Sequence, residues 1–417
     1  MSPRTALILI GLVVAAAVLV AGCTQSPGPS TSTPTPAPGT AGTPTQVNLL
    51  YTQGVGPMPN LLATRQIDGY IAWQPYVEIA NASGIGTIAV YSADLPPAGQ
   101  WKDHPTNVLV ARKDFVAQNL ELTEALSALT ILVGQYITDH PDRAANITAD
   151  WLVGGSPFTF GNTSVPSEPV LQRAFTTVRF TTDPSDAWQR GVDKFVTAEN
   201  ELGYLSGSLR NASADQRPAL LYDFGPYAAA RQQVAVKQIA TPPKATGPVS
   251  LGYLLAVDHA ALFVAVRDWQ YFNDTYGIAL RPRDATKSRP DVADLIVNGV
   301  TVAEVRLVTA DAGPGLMQAA ATNSIQVSFV GVPPAISAID RGNPITILHP
   351  VDTEGSGLVV AMSSPATDWN SFVAWAQDRS RTGQPLKIAA PGKGSIQDVL
   401  LRVALNESQV NVIEASS

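Results

Sequence analysis

A chain of 417 residues is long enough for two or three folded units with sizeable cores, and 45% hydrophobic with 15% charged residues gives it a globular composition. A formal net charge of -7 without any Lys/Arg cluster excludes a nucleic-acid partner, which requires a basic face. The lone Cys23 excludes an internal disulfide framework, and His104, His140, His259 and His349 lack the paired spacing of a zinc site, so neither metal nor cofactor is expected.

The chain opens with Arg4 and an apolar run from Ala6 to Val20, of signal-peptide length. Val20-Ala21-Gly22-Cys23 then sets small residues directly before the only cysteine, which resembles the lipobox of a prokaryotic lipoprotein and implies lipidation at Cys23, with residues 1–23 as the signal segment. An uncleaved anchor is the alternative, although the run is short for a membrane span. Both place the rest of the chain outside the membrane. Residues 24–46, rich in Ser, Thr, Pro, Gly and Ala, cannot bury apolar surface and read as an extended spacer. Asn-x-Ser/Thr sequons follow at Asn81, Asn146, Asn162, Asn211, Asn273 and Asn406.

From Val47 short β-branched runs alternate with helical stretches, an α/β pattern with parallel strands. A helix ends over Leu61 to Thr64, Ile67 to Trp73 reads as a buried strand, and Pro75 opens the next helix. The same unit returns later: Met317 to Ala321 is helical, Ile325 to Val330 is a strand, and Pro333-Pro334 opens a helix. This repetition predicts two similar lobes. Between them, Phe115 to Tyr136 and Asp186 to Tyr204 carry apolar residues at helical spacing, so residues 105–240 are predicted mostly helical. Residues 241–248 form a Pro-rich linker, and a new α/β unit starts at Ser250. Finally, Gln46-Val47-Asn48 near the start is matched by Gln409-Val410-Asn411 at the end, as though one strand were written twice.

Several stretches carry a family resemblance. Gly252-Tyr253-Leu254 with Asp258-His259-Ala260-Ala261-Leu262-Phe263-Val264-Ala265, then Phe329 to Ile336, Glu354 to Val360 and Lys387 to Ser395, resemble the first half of the solute-binding proteins of nitrate, sulfonate and taurine ABC importers. Ile67-Asp68-Gly69-Tyr70-Ile71-Ala72-Trp73-Gln74-Pro75-Tyr76 and Asn107 to Phe115 resemble the second half. The resemblance implies a type II periplasmic-binding-protein fold, with two α/β lobes, each a mostly parallel sheet flanked by helices, around a central cleft. The halves stand in reversed order here. A circular permutation closed within one chain (a monomer) accounts for that, and so does a domain-swapped dimer. On this reading 47–104 and 387–417 make the second lobe, 105–240 returns to the first, and 249–386 completes the first.

The resemblance further implies that helix N-termini near Asp258, Gly331, Ser395 and Gln74 face the cleft, where unpaired N–H groups suit an anion. It nominates His259, Asp258, Gly331, Val332, Ser356, Gly394, Ser395, Trp73 and Gln74 as ligand-binding. From the residues alone, Asp258 and Ser395 are also natural helix caps, and Trp73 and Tyr76 could be core aromatics rather than a ligand wall. No Gly-x-Ser-x-Gly elbow is present, and the Gly392-Lys393-Gly394-Ser395 turn lacks the nucleotide-type phosphate-loop pattern. The expectation is therefore a non-enzymatic, membrane-tethered receptor that delivers a small anion to an ABC permease and ATPase by hinge closure. A surface protein that kept the fold without transport is the alternative, with thiamine-pyrimidine-related binding or synthesis a more distant one.

Overall fold

A computed structural model describes residues 44–415. The apolar segment of residues 6–20, Cys23 and most of the spacer lie outside the described residues. Among those described, no helix is long and apolar enough to cross a membrane.

Two sheets form the frame. The second-lobe sheet has six strands in the order Asn411–Glu414, Gln46–Tyr51, Leu386–Ala390, Gly69–Trp73, Ser356–Ala361 and Gly86–Tyr91. The first-lobe sheet has seven, in the order Ile345–Pro350, Asn107–Arg112, Val327–Gly331, Val249–Tyr253, Val300–Thr309, Val292–Val297 and Ile278–Pro282. Both sheets are thus completed within a single chain. Central strands are buried throughout: every residue of Asn107–Arg112 and of Gly69–Trp73 is buried, as a strand covered on both faces requires.

The helix, strand and Pro-led helix unit occurs once in each lobe. Met58–Ala63, Gly69–Trp73 and Tyr76–Ser83 correspond to Gly313–Ala321, Val327–Gly331 and Val332–Asp340. Pro75 is the cap residue of one closing helix, and Pro333 or Pro334 fills the first turn of the other, where a missing N–H costs nothing. The expected helix over 115–136 is two helices, Lys113–Gln118 and Leu120–Asp139, because Asn119 leaves helical geometry at φ -137°.

Two boundaries differ from the sequence reading. Ser356–Ala361 pairs with Gly69–Trp73 and Gly86–Tyr91, so the chain has returned to the second lobe well before residue 387. Residues 105–240 also do more than return to the first lobe. Helix Ser167–Phe175 packs on Tyr76–Ser83, and helix Asp186–Glu201 packs on Val332–Asp340 of one lobe and Ile396–Glu407 of the other. The duplicated terminal strands lie side by side and parallel, with Val47 opposite Val412. The first occurrence takes the inner place beside Leu386–Ala390, and the second becomes a short, largely exposed edge strand. The first described strand therefore belongs to the second lobe.

Candidate functional site: a buried polar chamber between the lobes

Two extended segments cross between the sheets and bond to each other. Thr106 N–H donates to the Asp352 carbonyl at 3.1 Å, Val351 N–H to Asn107 at 2.9 Å and Glu354 N–H to His104 at 3.1 Å. Gly355 ends the second crossing at φ +83°, and a Cβ there would meet Val178 Cγ2 at 2.7 Å, so only glycine fits. This paired ribbon connects the two sheets.

Where the two repeated units face each other, a cavity of about 20 Å³ is lined by residues from both lobes. Its walls include Trp73 at the end of one repeated strand, Gly331 at the end of the other, Asp258 and His259 from the turn Val257–His259, and Ser395 at the head of Ile396–Glu407. The lobes touch here: a Cβ on Gly331 would lie 2.9 Å from Ile396 Cδ1. A main-chain bond from Val257 N–H to the Gln74 carbonyl, at 3.0 Å, also joins them.

The chamber is rich in unsatisfied polar atoms. Trp73 Nε1, Asn107 Nδ2 and Asp258 Oδ1 line or adjoin it, all buried, and none has a hydrogen-bond partner among the described residues. Asp352 Oδ2 is likewise buried and unpartnered, while its Oδ1 accepts from Asn107 N–H at 3.0 Å. Leaving such a group unpaired costs roughly 1–3 kcal/mol each, so the cluster is expensive for the fold alone. Burial, and then the charge of Asp352, holds the Asp258 carboxyl well above the usual carboxylate range. Burial pushes Asp352 up to about 8. Burial pushes His259 down to about 3, so it is neutral, and its Nδ1 accepts from Leu254 N–H at 3.3 Å. No Lys or Arg lines the chamber.

Of the residues nominated from sequence, Trp73, Asp258, His259, Gly331 and Ser395 meet here. The others sit nearby in other roles. Gln74 Nε2 donates to Thr177 Oγ1 at 3.1 Å and its Oε1 accepts from Glu78 N–H, so its side chain ties the second lobe to the segment after helix Ser167–Phe175. Ser356 Oγ accepts from Gln397 Nε2 at 2.8 Å. Val332 is fully buried beneath the wall and donates its N–H to Thr106. Gly394 lines a larger outer cavity of about 420 Å³ beside the chamber, where Arg341 and Lys393 supply cations. The two cavities share Pro334 and are lined by consecutive residues, 313 with 314 and 394 with 395, so they lie side by side. Tyr76 does not line the chamber; its carbonyl accepts from the Tyr70 hydroxyl at 2.7 Å.

Asp258 corrects one expectation. Helix Ala260–Arg267 has no side-chain cap, because the short turn Val257–His259 separates Asp258 from the capping position. Ser395, by contrast, accepts from Asp398 N–H at 3.2 Å and caps its helix. Asn107, Gln397 and Asp352 were not singled out from sequence. Asn107 opens a matched strand and Asp352 precedes the crossing, but nothing in their local pattern distinguishes them from other strand-end polar residues.

No cluster of three or more metal-ligating side chains occurs among the described residues. The profile of the NMT1-like family matches residues 40–153 and 242–416, leaving out most of the helical segment between the lobes. An uncharacterised protein of Methanocaldococcus jannaschii is 30% identical over 107 residues, 25% of this chain and 71% of the relative. No solved structure matches. With both lobes, the crossing ribbon and the chamber in place, the family match over most of its length shows that this chain belongs to the NMT1-like family.

Proposed function

We propose that this chain is an extracytoplasmic, membrane-tethered receptor that captures a small polar solute between its lobes and presents it to an ABC permease and ATPase. The observation that carries this reading is the set of buried, unpaired polar atoms on Trp73, Asn107 and Asp258 where the lobes meet. A chamber of about 20 Å³ has room for about one water, so capture requires the lobes to part about the crossing ribbon and close again. The chemistry favours binding over catalysis: the hydroxyls of Ser395 and Ser356 bond an amide and a carboxamide, and neither meets a base. The anion expected from the helix N-termini finds no cation in the chamber itself; the adjoining cavity supplies Arg341 and Lys393, the latter paired with Glu414 at 2.8 Å.

Sheet order supports a circular permutation closed within one chain, with the tether joined to the second lobe through Gln46–Tyr51. A monomeric mass in light scattering is expected; an obligate dimer would replace closure by domain swapping. The small chamber favours one competitor, a surface protein that retains the fold without transport. The test is small-angle scattering and thermal unfolding of the full chain against a panel of sulfonates, amino acids, amides and inorganic anions. A receptor shrinks and gains stability with at least one solute, and Trp73→Ala, His259→Ala and Ser395→Ala weaken that gain. The competitor responds to none.

A further inference from the structure

Helix Asp186–Glu201 rests on both lobes, and the loop that follows it is bonded to them unequally. On the first lobe, the N–H groups of Ser206, Gly207 and Leu209 donate to the Asp340 carboxylate at 2.8, 2.7 and 2.8 Å. Ser208 N–H donates to the Asp340 carbonyl at 3.1 Å. A Cβ on Gly207 would stand 1.8 Å from that carbonyl oxygen, so the loop main chain lies directly on the end of helix Val332–Asp340. Just upstream, Ser337 Oγ donates to Glu199 Oε2 at 2.7 Å. To the second lobe, residues 202–209 make one hydrogen bond among those described, from the Tyr204 hydroxyl to Asp398 Oδ2 at 2.7 Å. Burial, and then the charge of Asp398, hold the Tyr204 hydroxyl above its ordinary range, so it keeps its proton and is the donor. Lys393 Nζ stands 5.7 Å from the centre of the same ring.

That single bond ends beside the chamber. Asp398 Oδ2 also accepts from Gly394 N–H at 2.8 Å, and Asp398 N–H donates to Ser395 Oγ at 3.2 Å. The carboxylate that receives Tyr204 therefore also fixes the turn that carries Ser395, a chamber residue. When the lobes part, as the receptor reading above requires, the loop stays with the first lobe, which holds it by four N–H groups. Tyr204 is then the contact that breaks. We infer, resting on that reading, that Tyr204 is a positioning residue that latches the closed form. It is carried by the first lobe, and its hydroxyl docks on Asp398 of the second lobe when the two close on the chamber.

Tyr51 supplies the control. Its hydroxyl donates to the other oxygen of the same carboxylate, Asp398 Oδ1, also at 2.7 Å, but strand Gln46–Tyr51 belongs to the second lobe and moves with Asp398. A merely structural role for Tyr204 makes Tyr204→Phe and Tyr51→Phe alike, whereas a latch makes them differ. The readout is hydrogen–deuterium exchange on the solute-free full chain. Tyr204→Phe should speed exchange about fivefold at residues 257–259, 331–332 and 394–397 together, the equivalent of one lost hydrogen bond. The Ser206, Gly207 and Leu209 amides should keep their protection on Asp340. Tyr51→Phe should leave 257–259 and 331–332 unchanged. With a solute that binds the parent, Tyr204→Phe should weaken binding by about the same factor, through faster dissociation. Equal exchange at 257–259 and 331–332 in the two variants, or faster exchange confined to 204–209, overturns the inference and leaves the receptor reading standing. The parent alone gives a second measurement, independent of how either variant folds. In low denaturant its chamber segments should exchange before the amides on Asp340, and the reverse order overturns the latch. Failure of every solute to bind the parent removes the receptor reading, while the exchange comparison still decides the latch.

Discussion

Two buried aspartates, Asp258 and Asp398, sit in one molecule under opposite conditions. Asp398 is saturated: Oδ1 accepts from the Tyr51 hydroxyl at 2.7 Å and Arg402 Nε at 2.9 Å, and Oδ2 from the Tyr204 hydroxyl at 2.7 Å and Gly394 N–H at 2.8 Å. It binds together the first strand, the helix Ile396–Glu407 and the loop after Asp186–Glu201. That loop is held to the other lobe through Asp340, which accepts from the amides of Ser206, Gly207 and Leu209. Asp258 has an oxygen that bonds nothing in the protein. A buried carboxylate with every lone pair answered holds a fold together. One left open at the junction of two lobes adds nothing to holding them together and is open to a bond from whatever enters there.

The largest effect expected from this contrast is at the saturated site. Asp398→Ala removes the acceptor of Arg402 Nε, of two tyrosine hydroxyls and of an amide, while Arg402 keeps Glu414 and Tyr51, and should lower unfolding free energy by about 2–4 kcal/mol in chemical denaturation. A loss below about 1 kcal/mol would show the cluster to be ornamental and break the comparison. Asp258→Asn should behave oppositely, leaving the solute-free protein as stable or more so while weakening solute binding at least tenfold, or about 1.4 kcal/mol.

The raised carboxyl gives a pH signature. A group protonated in the fold but ionised when unfolded contributes stability that is present at low pH and fades as pH rises through its folded value. For Asp352 that decline runs up to about pH 8. The buried histidines, pushed down to about 4 at His104, 3 at His259 and 4 at His349, act in the other direction and only as pH falls below the ordinary histidine range near 6.5. Between about pH 6.5 and 8 the carboxyls act alone, so melting temperature should fall over that interval, and Asp352→Asn should flatten the fall. The smallest effect is at Tyr204→Phe, which removes one bond to Asp398 and should cost about 1 kcal/mol, measured by denaturation.

The frame was legible in the sequence because it is written in apolar runs and prolines. The buried strand ending at Trp73 and the Pro-led helix after Gly331 stand close to where their residues predict them. The positions that meet in the chamber were partly legible for the same reason, since Trp73, Gly331 and Ser395 mark the ends of those elements. What was hidden depends on the crossing. Asn107 and Asp352 acquire their role only when two segments about 245 residues apart lie side by side. Asp258 resembled a cap because an acidic residue before a helix usually is one; the intervening turn, invisible in the sequence pattern, freed its carboxyl. The lobe boundary was placed too late because Ser356–Ala361 is apolar on both faces and fits either sheet until its antiparallel partners are known.

Hydrogen–deuterium exchange on the full chain, with and without whichever solute raises its melting temperature, tests the central claim most directly. The account predicts added protection at residues 257–259, 331–332 and 394–397 together, since these three segments of two lobes close on one chamber. Protection confined to another cavity, such as the groove of about 490 Å³ around Lys102, Arg179 and Arg190, would contradict it.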